Sequence, residues 1–457
     1  MDFSVVRSSH SLVKPCEKTP TTTLELSGMD KVPVLRCNAR TLHVYKHKQD
    51  MSQGGAAASA AIKQALSRAL VPYYPLAGRL RESSQGELHV DCCGEGVWFV
   101  EASANSTLNA LDYLDDAYVA PISYRDLLPD QLKEADINYD EPLIQMQLYA
   151  VQVTQFACGG FVIGLIFSHT ICDGLGSAQF LNAVAEFARG LDHLTISPVW
   201  CRDFFKSSSK PKIPTTQSEL PNIPPKYRLE QANVDISMEQ IEKLKHEFQL
   251  STGRRCSTFE IVAAGFWSCR TRAALLTSSS SSNSQMVRFV FFANCRQLVK
   301  PPLPEGFYGN CFFPVTITAS RERVGRASVV EVVKMIQKAK AELPKEFEKY
   351  IIMNMNNING DQSTAAGEDE DPNPFFPPMS YETLFVSEWG RLGFKEVDFG
   401  WGPPVNIVPI QGSPIIPAAI VGWQPAPKTG IRLMTWCLVD PHLQPFLHHF
   451  SQLFHCL

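Results

Sequence analysis

The stretch FVIGLIF, residues 161–167, is apolar at almost every position and runs directly into SHTICDG, residues 168–174. A short, unbroken apolar run predicts a strand at the centre of a sheet, covered on both faces. The segment before it, LYAVQVTQF at 148–156, is rich in β-forming residues, and Cys-Gly-Gly at 158–160 predicts a hairpin turn between the two. A helix is predicted over 176–190, so the strand ends in a glycine-containing turn that leads into a helix.

His169 is the residue that this arrangement singles out as a candidate for chemistry. The strand fixes its backbone and Gly174 lets the chain turn away sharply, so His169 projects beyond the strand end, where clefts form. A free imidazole has a pKa of about 6.5 and is largely neutral at pH 7, able to accept a proton. The alternative is a histidine that is merely satisfied or exposed, and the other ten histidines are interpreted in that way.

Asp173 stands four residues after His169 and allows two interpretations. It either hydrogen-bonds the imidazole, as in a catalytic triad, or forms an ion pair that shapes the turn. The short spacing just after a strand aims the two side chains differently, which favours the structural interpretation. Arg296 is the predicted partner, because an unpaired buried carboxylate is costly.

The composition excludes several classes of protein. The chain has 457 residues, a net charge of −4, 44% hydrophobic and 19% charged residues, all ordinary for a globular protein. Its thirteen cysteines include no C-x-x-C pair, which indicates a reduced, cytoplasmic protein without a zinc site. The absence of an apolar run of about 18 residues predicts no membrane span. Scattered lysines and arginines argue against a nucleic-acid partner.

The chain is predicted to fold as two domains of similar size, of α/β (α+β) class, each a mixed β-sheet with flanking helices. A stretch rich in Ser, Lys and Pro marks a crossover linker at 206–228, which separates domains at 1–205 and 229–457. Two low-complexity stretches, at 278–282 and 359–373, are predicted to be exposed loops. Helices are predicted over 56–70, 238–249, 258–272 and 329–343, and a strand over 287–294.

Two motifs together resemble those of a known family. HTICDG at 169–174 resembles the H-x-x-x-D-G motif of the plant BAHD acyltransferases, and DFGWG at 398–402 matches their second signature, in the same order and more than 200 residues away. The likeness covers essentially the whole chain and is greatest to the branch of benzyl alcohol, fruit-ester alcohol and taxane acyltransferases. Further similar stretches lie at 73–80, 94–96, 256–260, 294–296 and 308–310.

The resemblance implies a fold like that of chloramphenicol acetyltransferase, with an active-site channel between the domains and His169 midway along it. Acyl-CoA and a small acceptor would enter from opposite faces of a monomer that holds no metal and no permanent cofactor. We therefore expect acyl transfer from acyl-CoA to a hydroxyl, with His169 as general base, a contribution of about 10²–10⁴ in rate. The alternatives are an N-acyltransferase that forms an amide and a catalytically silent CoA-binding protein. Cys172 is interpreted as a spacer rather than a nucleophile.

The DFGWG stretch carries Asp398, which the family resemblance presents either as a second acid–base residue or as a structural group held by an arginine. We favour the structural interpretation, with Gly400 and Trp401 supporting the channel wall. Upstream, Ser-Glu-Trp at 387–389 matches a Thr-Ser-Trp segment of the family's active site. An indole N–H only donates, so Trp389 is predicted to stabilise an oxyanion, with a plain core tryptophan as the alternative. Ser387 is placed on the acceptor side.

Coenzyme A also needs donors for its phosphates. Ser257 and Thr258 open a predicted helix, whose N-terminal N–H groups and dipole favour an anion. Arg254 and Arg255, just before it, add positive charge. The alternative is an ordinary capped helix with solvated arginines.

Overall fold

The structure, a computed structural model, describes residues 3–47, 55–83, 87–115, 123–130, 146–206, 227–276, 285–356, 373–410 and 416–454. The predicted linker lies almost wholly outside these ranges, and so do the polyserine stretch and nearly all of the acidic stretch.

The described ranges form a mixed α/β protein with two large sheets, which confirms the predicted fold class. The strands are β1 (Val5–Val13), β2 (Thr23–Glu25), β3 (Asn38–Tyr45), β4 (Arg79–Glu82), β5 (Leu88–Asp91), β6 (Val97–Ala104), β7 (Met146–Gln147), β8 (Tyr149–Phe156), β9 (Phe161–Ser168), β10 (Glu230–Ser237), β11 (Met286–Asn294), β12 (Phe312–Ser320), β13 (Thr383–Glu388), β14 (Asn406–Pro409), β15 (Ala418–Trp423) and β16 (Gly430–Leu438). The helices are α1 (Gly55–Ala69), α2 (Tyr124–Leu127), α3 (Gly174–Ala188), α4 (Met238–Thr252), α5 (Thr258–Leu276), α6 (Arg321–Arg326), α7 (Val329–Asn356) and α8 (Asp440–Phe454).

The first sheet has the order β1-β6-β8-β9-β3-β14, and a small sheet, β2-β5-β4-β7, lies in the same half of the chain. Strand β9 pairs antiparallel with β8 and β3, and all eight of its residues are buried. Its odd-numbered residues pack in a core with α1 and α3, whereas Val162 and Ile166 pack on the opposite face. A Cβ on Gly164 would lie 1.9 Å from the Leu127 carbonyl oxygen, so only glycine fits where α2 crosses the strand. The strand is therefore covered on both faces, as its sequence predicts.

The second sheet has the order β10-β16-β15-β13-β11-β12 and packs against α4, α5, α7 and α8 in a separate core. Helix α7 runs past the predicted end at residue 343, although Pro344 removes one backbone donor inside it. The added turns are held because Phe347 is 2% exposed and Tyr350 packs against the same core. Tertiary packing thus outweighs the local cost of the proline.

One segment of the second half crosses over to the first sheet. Strand β14 pairs antiparallel with β3, so that Asn406 lies opposite Val44. Just before it, Phe394, Phe399 and other apolar side chains pack in the core of the first sheet. The sequence predicts that all of 229–457 belongs to the second domain, whereas residues 394–409 lie against the first half and tie the two halves together.

Candidate active site

His169 directly follows β9, and its ring lies between aromatic side chains of both halves of the chain. Its backbone N–H donates to the Cys37 carbonyl at 2.8 Å, which fixes the main chain just past the strand. The ring centroid lies 6.4 Å from that of Phe167 and 6.0 Å from that of Phe312, the latter in an edge contact. The residue is half-buried. The imidazole is therefore held at a junction of the two halves without being sealed away from solvent.

Asn310 sets the tautomer of this imidazole. Its side-chain N–H₂ donates to Asp30 Oδ1 and to the His169 carbonyl, each at 2.8 Å, so its amide oxygen faces the ring. That oxygen lies 3.2 Å from His169 Nδ1. Because an amide oxygen only accepts, Nδ1 carries the proton and Nε2 has a free lone pair. Within the described residues Nε2 has no hydrogen-bond partner, so it is available to accept a proton.

Asp173 is turned away from the imidazole and holds the turn after β9. Its Oδ1 accepts from Arg296 Nη2 at 2.9 Å and from the Gly176 N–H at 3.0 Å, which makes Asp173 the N-cap of α3. This cap explains why the helix begins at Gly174, two residues before the predicted start. Burial alone raises the pKa of Asp173, but the Arg296 guanidinium and the N–H donors outweigh burial and hold the pKa below its usual value.

Arg296 and Gly174 complete this turn. Arg296 Nη2 also donates to the Gly309 carbonyl at 2.7 Å, so one guanidinium links the turn to the segment that carries Asn310. A Cβ on Gly174 would lie 2.7 Å from Leu392 Cδ1, which leaves little room for a side chain. The side chain of Cys172, the residue before Asp173, is 1% exposed, and burial, followed by the Asp173 carboxylate, raises its thiol pKa. A buried thiol of this kind is not a nucleophile.

Three residues of the site escaped the sequence analysis. Asp30 and Arg202 form a fully buried ion pair, with Oδ1 and Nη1 2.7 Å apart, and Asn310 joins this pair to His169. Asn310 belongs to the Tyr-Gly-Asn stretch at 308–310, which the resemblance noted without a role. Asp30 and Arg202 stand 172 positions apart, and no local pattern links them.

The Asp398 carboxylate accepts hydrogen bonds from its own loop. Its Oδ1 accepts from the Gly400 and Gly402 N–H groups at 2.7 and 2.8 Å, and Arg189 donates to its backbone carbonyl. Gly400 has a φ of +108°, which glycine adopts without strain, and the Trp401 ring meets Phe161 edge-on at 5.8 Å. In the described part of the chain no contact joins Asp398 to His169. The geometry supports a carboxylate that shapes a loop against the first core.

Trp389 and Ser387 lie at the carboxyl end of β13. The Trp389 backbone N–H donates to the Val421 carbonyl at 2.8 Å, and the indole ring packs against Phe394 with centroids 5.9 Å apart. The indole is half-buried, and its Nε1 has no partner within the described ranges, which leaves a donor free. Ser387 is half-buried beside Ile420, and the structure shows neither Ser387 nor Trp389 in contact with His169.

The start of α5 is capped from within. Ser257 Oγ accepts from the Glu260 N–H at 3.2 Å, and Glu260 Oε2 accepts from the Ser257 N–H at 2.9 Å. Lys340 Nζ lies 2.5 Å from Glu260 Oε1, so a carboxylate already sits where Ser257 and Thr258 were expected to face a phosphate. Arg254 and Arg255 are exposed and, as far as the structure describes the chain, form no ion pair. Among the described residues, Arg254 and Arg255 are therefore unpaired cations beside the helix.

The described residues bring together no group of three His, Cys, Asp or Glu side chains suited to a metal ion. Where the structure describes helices, each is too short or too polar to cross a bilayer. The twelve cysteines within the described ranges are free thiols.

Comparison with known proteins places the chain in a family. The model of the Transferase family matches residues 3–453. Acyl transferase 4 of Oryza sativa subsp. japonica is 41% identical over 467 residues, which cover 98% of each chain. Taxadien-5-alpha-ol O-acetyltransferase of Taxus chinensis is 32% identical over 90% of this chain and 87% of its own. The 3'-N-debenzoyl-2'-deoxytaxol N-benzoyltransferase of Taxus canadensis is 31% identical over 97% of this chain and 95% of its own.

The fold agrees with this assignment. Vinorine synthase superposes with a TM-score of 0.70 at 22% sequence identity, covering 97% of this chain and 96% of its own. The resemblance indicated by the HTICDG and DFGWG motifs is thus confirmed over nearly the full length of the sequence. The chain belongs to the Transferase family, in which it is a BAHD acyltransferase that takes its acyl group from acyl-CoA.

Proposed function

We propose that the protein transfers an acyl group, such as acetyl or benzoyl, directly from acyl-CoA to the hydroxyl of a small alcohol or specialised metabolite, with His169 as general base. The observation that carries this proposal is the contact of His169 Nδ1 with the Asn310 amide oxygen at 3.2 Å, which leaves Nε2 of this half-buried imidazole to accept a proton. Before the reaction, a general base needs a nitrogen that carries no proton, and this nitrogen must be able to reach the acceptor.

The reaction then proceeds without a covalent acyl-enzyme. His169 Nε2 takes the acceptor proton as the acceptor oxygen forms a bond to the thioester carbonyl carbon. The resulting tetrahedral oxyanion collapses, the carbon–sulfur bond breaks, and the CoA thiolate takes the proton back from Nε2. The Nδ1–H bond to Asn310 persists throughout and stabilises the imidazolium formed in between.

Other residues of this proposal have supporting roles. Trp389 is assigned to the oxyanion because its indole N–H has no partner in the described part of the chain, and Ser387 is assigned to the acceptor side. Arg254 and Arg255 are assigned to the CoA phosphates, since they are exposed and unpaired within the described ranges. Asp398 is assigned to its loop, because its carboxylate already accepts two N–H bonds there.

The proposal also covers the route of the two substrates, the oligomeric state, the location in the cell and the domain division. Acyl-CoA and acceptor reach His169 from opposite sides of a channel between the halves, in a monomer that works in the cytoplasm. The division of the chain at 206–228 into two domains belongs to the same proposal, with residues 394–409 returning to the first sheet.

A second candidate is amide formation. The same Nε2 would take a proton from an amine, and a relative 31% identical over nearly the whole chain is named an N-benzoyltransferase.

A matrix of acyl-CoAs against alcohols and amines, read by mass spectrometry, tests these candidates. Ester products support O-acylation and amide products favour the second candidate. The absence of any product across the matrix would contradict both candidates.

Variants at the motif test the mechanism. His169→Ala should lower kcat by about 10²- to 10⁴-fold. Cys172→Ala should keep turnover, because the thiol is buried. Retained turnover in the histidine variant, or loss confined to the cysteine variant, contradicts the scheme.

A further inference from the structure

We propose that Asp30, acting through Asn310, is the positioning residue that decides which nitrogen of His169 is free, and that Arg202 holds Asp30 in place for this task. The inference rests on the proposed role of His169 as base. It assigns the carboxylate behind the imidazole to Asp30 rather than to Asp173 of the HTICDG motif.

Asp30 is fully buried and accepts hydrogen bonds from three separate segments of the chain. Its Oδ2 accepts from the Ser27 N–H at 3.0 Å and from the Ser27 hydroxyl at 2.6 Å. Its Oδ1 accepts from Arg202 Nη1 at 2.7 Å and from the Asn310 backbone N–H at 3.2 Å, in addition to the Asn310 amide. With both oxygens engaged, the carboxylate cannot rotate without breaking several bonds.

This fixed carboxylate orients the Asn310 amide. A side-chain amide has a donor end and an acceptor end, which differ little in shape. Asp30 Oδ1 and the His169 carbonyl both demand the donor end, so the oxygen is left to face Nδ1. In the flipped amide, oxygen would oppose oxygen at both contacts, and an N–H₂ group would face Nδ1. The imidazole would then carry its proton on Nε2, where no proton can be accepted.

Arg202 makes a buried carboxylate tolerable at this place. Besides Asp30, it binds the Ile171 carbonyl inside the motif turn through Nη2 at 2.7 Å. Its guanidinium carbon lies 4.4 Å from the centroid of the Trp200 ring. A Cβ on Gly309 would lie 1.9 Å from Arg202 Nη1, so a larger residue before Asn310 would displace this guanidinium. The pair therefore joins the motif turn, the end of the first half and the Asn310 segment.

Asp173 differs from Asp30 in what it touches. Its side chain contacts Arg296, Gly176 and the Cys311 N–H, and none of these contacts reaches the imidazole. Each carboxylate has an arginine partner, but the chain of hydrogen bonds to His169 starts at Asp30.

The test uses the full chain labelled with ¹⁵N-histidine, because the two neutral tautomers of an imidazole give different nitrogen shifts. His169→Ala identifies the His169 signals by their loss. In the wild type we expect the Nδ1–H tautomer at neutral pH. Asn310→Ala and Asp30→Asn should give a mixture of tautomers and lower kcat by about 10- to 100-fold, as for the loss of a residue that orients a metal-bound histidine, with KM for acyl-CoA nearly unchanged.

Asp235→Asn is the matched control, since Asp235 also pairs with an arginine, Arg432, but in another part of the protein. It should change neither the tautomer nor kcat. If Asp30→Asn does not fold, Asn310→Ala alone decides, because it leaves the Asp30–Arg202 pair intact. An Nε2–H tautomer in the wild type, or an unchanged tautomer and kcat in Asn310→Ala, overturns the inference. The NMR measurement of the tautomer needs no turnover. A failure of this inference can therefore be distinguished from a failure of the proposed function, which is tested by His169→Ala and by the substrate matrix.

Discussion

Asp173 and Arg296 form an ion pair, with Oδ1 and Nη2 2.9 Å apart, that closes the turn after β9 although the two residues are 123 positions apart in the sequence. Within the described residues, neither side chain of this pair hydrogen-bonds the imidazole of His169. The acidic residue of the HTICDG motif is therefore a cap and an anchor, and its loss should act on the fold before it acts on the chemistry.

Asp173→Asn should lower the free energy of unfolding by roughly 3 kcal/mol, because it leaves the Arg296 charge half-buried without its partner. Urea denaturation measures this change. Folded Asp173→Asn protein should turn over faster than His169→Ala protein. An unchanged free energy of unfolding together with activity as low as that of His169→Ala would instead place Asp173 in the chemistry.

Asp398 should tolerate replacement by asparagine better than by alanine. An amide oxygen can still accept the Gly400 and Gly402 N–H bonds, so Asp398→Asn should keep kcat within a few-fold. Asp398→Ala loses both bonds and should lower the free energy of unfolding by about 1–3 kcal/mol. Steady-state kinetics and urea denaturation measure the two effects. A loss of kcat in Asp398→Asn equal to that in His169→Ala would show that Asp398 exchanges protons.

Trp389→Phe should lower kcat by about 10²- to 10³-fold with little change in KM, if its indole N–H meets the oxyanion. Phenylalanine keeps the packing against Phe394 but has no donor. Trp423→Phe is the control, because the Trp423 indole donates to the Gly390 carbonyl at 3.0 Å and so is already engaged. Equal kcat values in the two variants would remove Trp389 from the oxyanion site.

The parts of this site that the sequence could predict are those with a local pattern. The apolar run of β9 specifies a buried strand, and the next residues specify a turn, so the position of His169 follows from about a dozen neighbouring residues. The Arg296 partner followed from the cost of leaving Asp173 unpaired. Each inference needed only a nearby pattern or one general rule of charge burial.

The remaining parts depend on tertiary structure. Asp30 and Arg202 meet only once both halves have packed, and a single aspartate in a mixed segment shows no periodicity. Strand β14 has four residues and follows a loop, so its pairing with β3 rather than with the second sheet is decided by which core accepts Phe394 and Phe399. The pairing of such a strand depends on side-chain packing in the folded protein, which a local sequence pattern does not show.

Arg254 and Arg255 should act on binding of acyl-CoA rather than on the chemical step. Replacing both by glutamine should raise KM for acyl-CoA and leave kcat nearly unchanged, and the difference should shrink at high salt because these side chains are exposed. Arg326→Gln is the control, since Arg326 is exposed in the same half of the chain but pairs with Glu322. A KM unaffected by the double replacement would move the phosphate site elsewhere.

His43 should make the stability of the fold depend on pH. The residue is fully buried on β3, where its Nε2 lies 2.8 Å from the Thr41 hydroxyl and its Nδ1 has no partner within the described residues. Burial lowers its pKa to about 3, whereas an exposed imidazole titrates near 6.5. Between these values the unfolded chain binds a proton at this residue and the folded chain does not. Acid therefore favours the unfolded state by about 1.4 kcal/mol per pH unit.

His43→Gln removes this proton and can keep the bond to Thr41. The free energy of unfolding of each protein is measured in urea at pH 7.5 and at pH 5.0. The decrease between the two pH values should be about 2 kcal/mol smaller in His43→Gln than in the wild type. His448→Gln should behave like the wild type, because His448 is exposed on α8. Identical losses of stability in His43→Gln and the wild type would mean that the buried imidazole takes up a proton in the folded state.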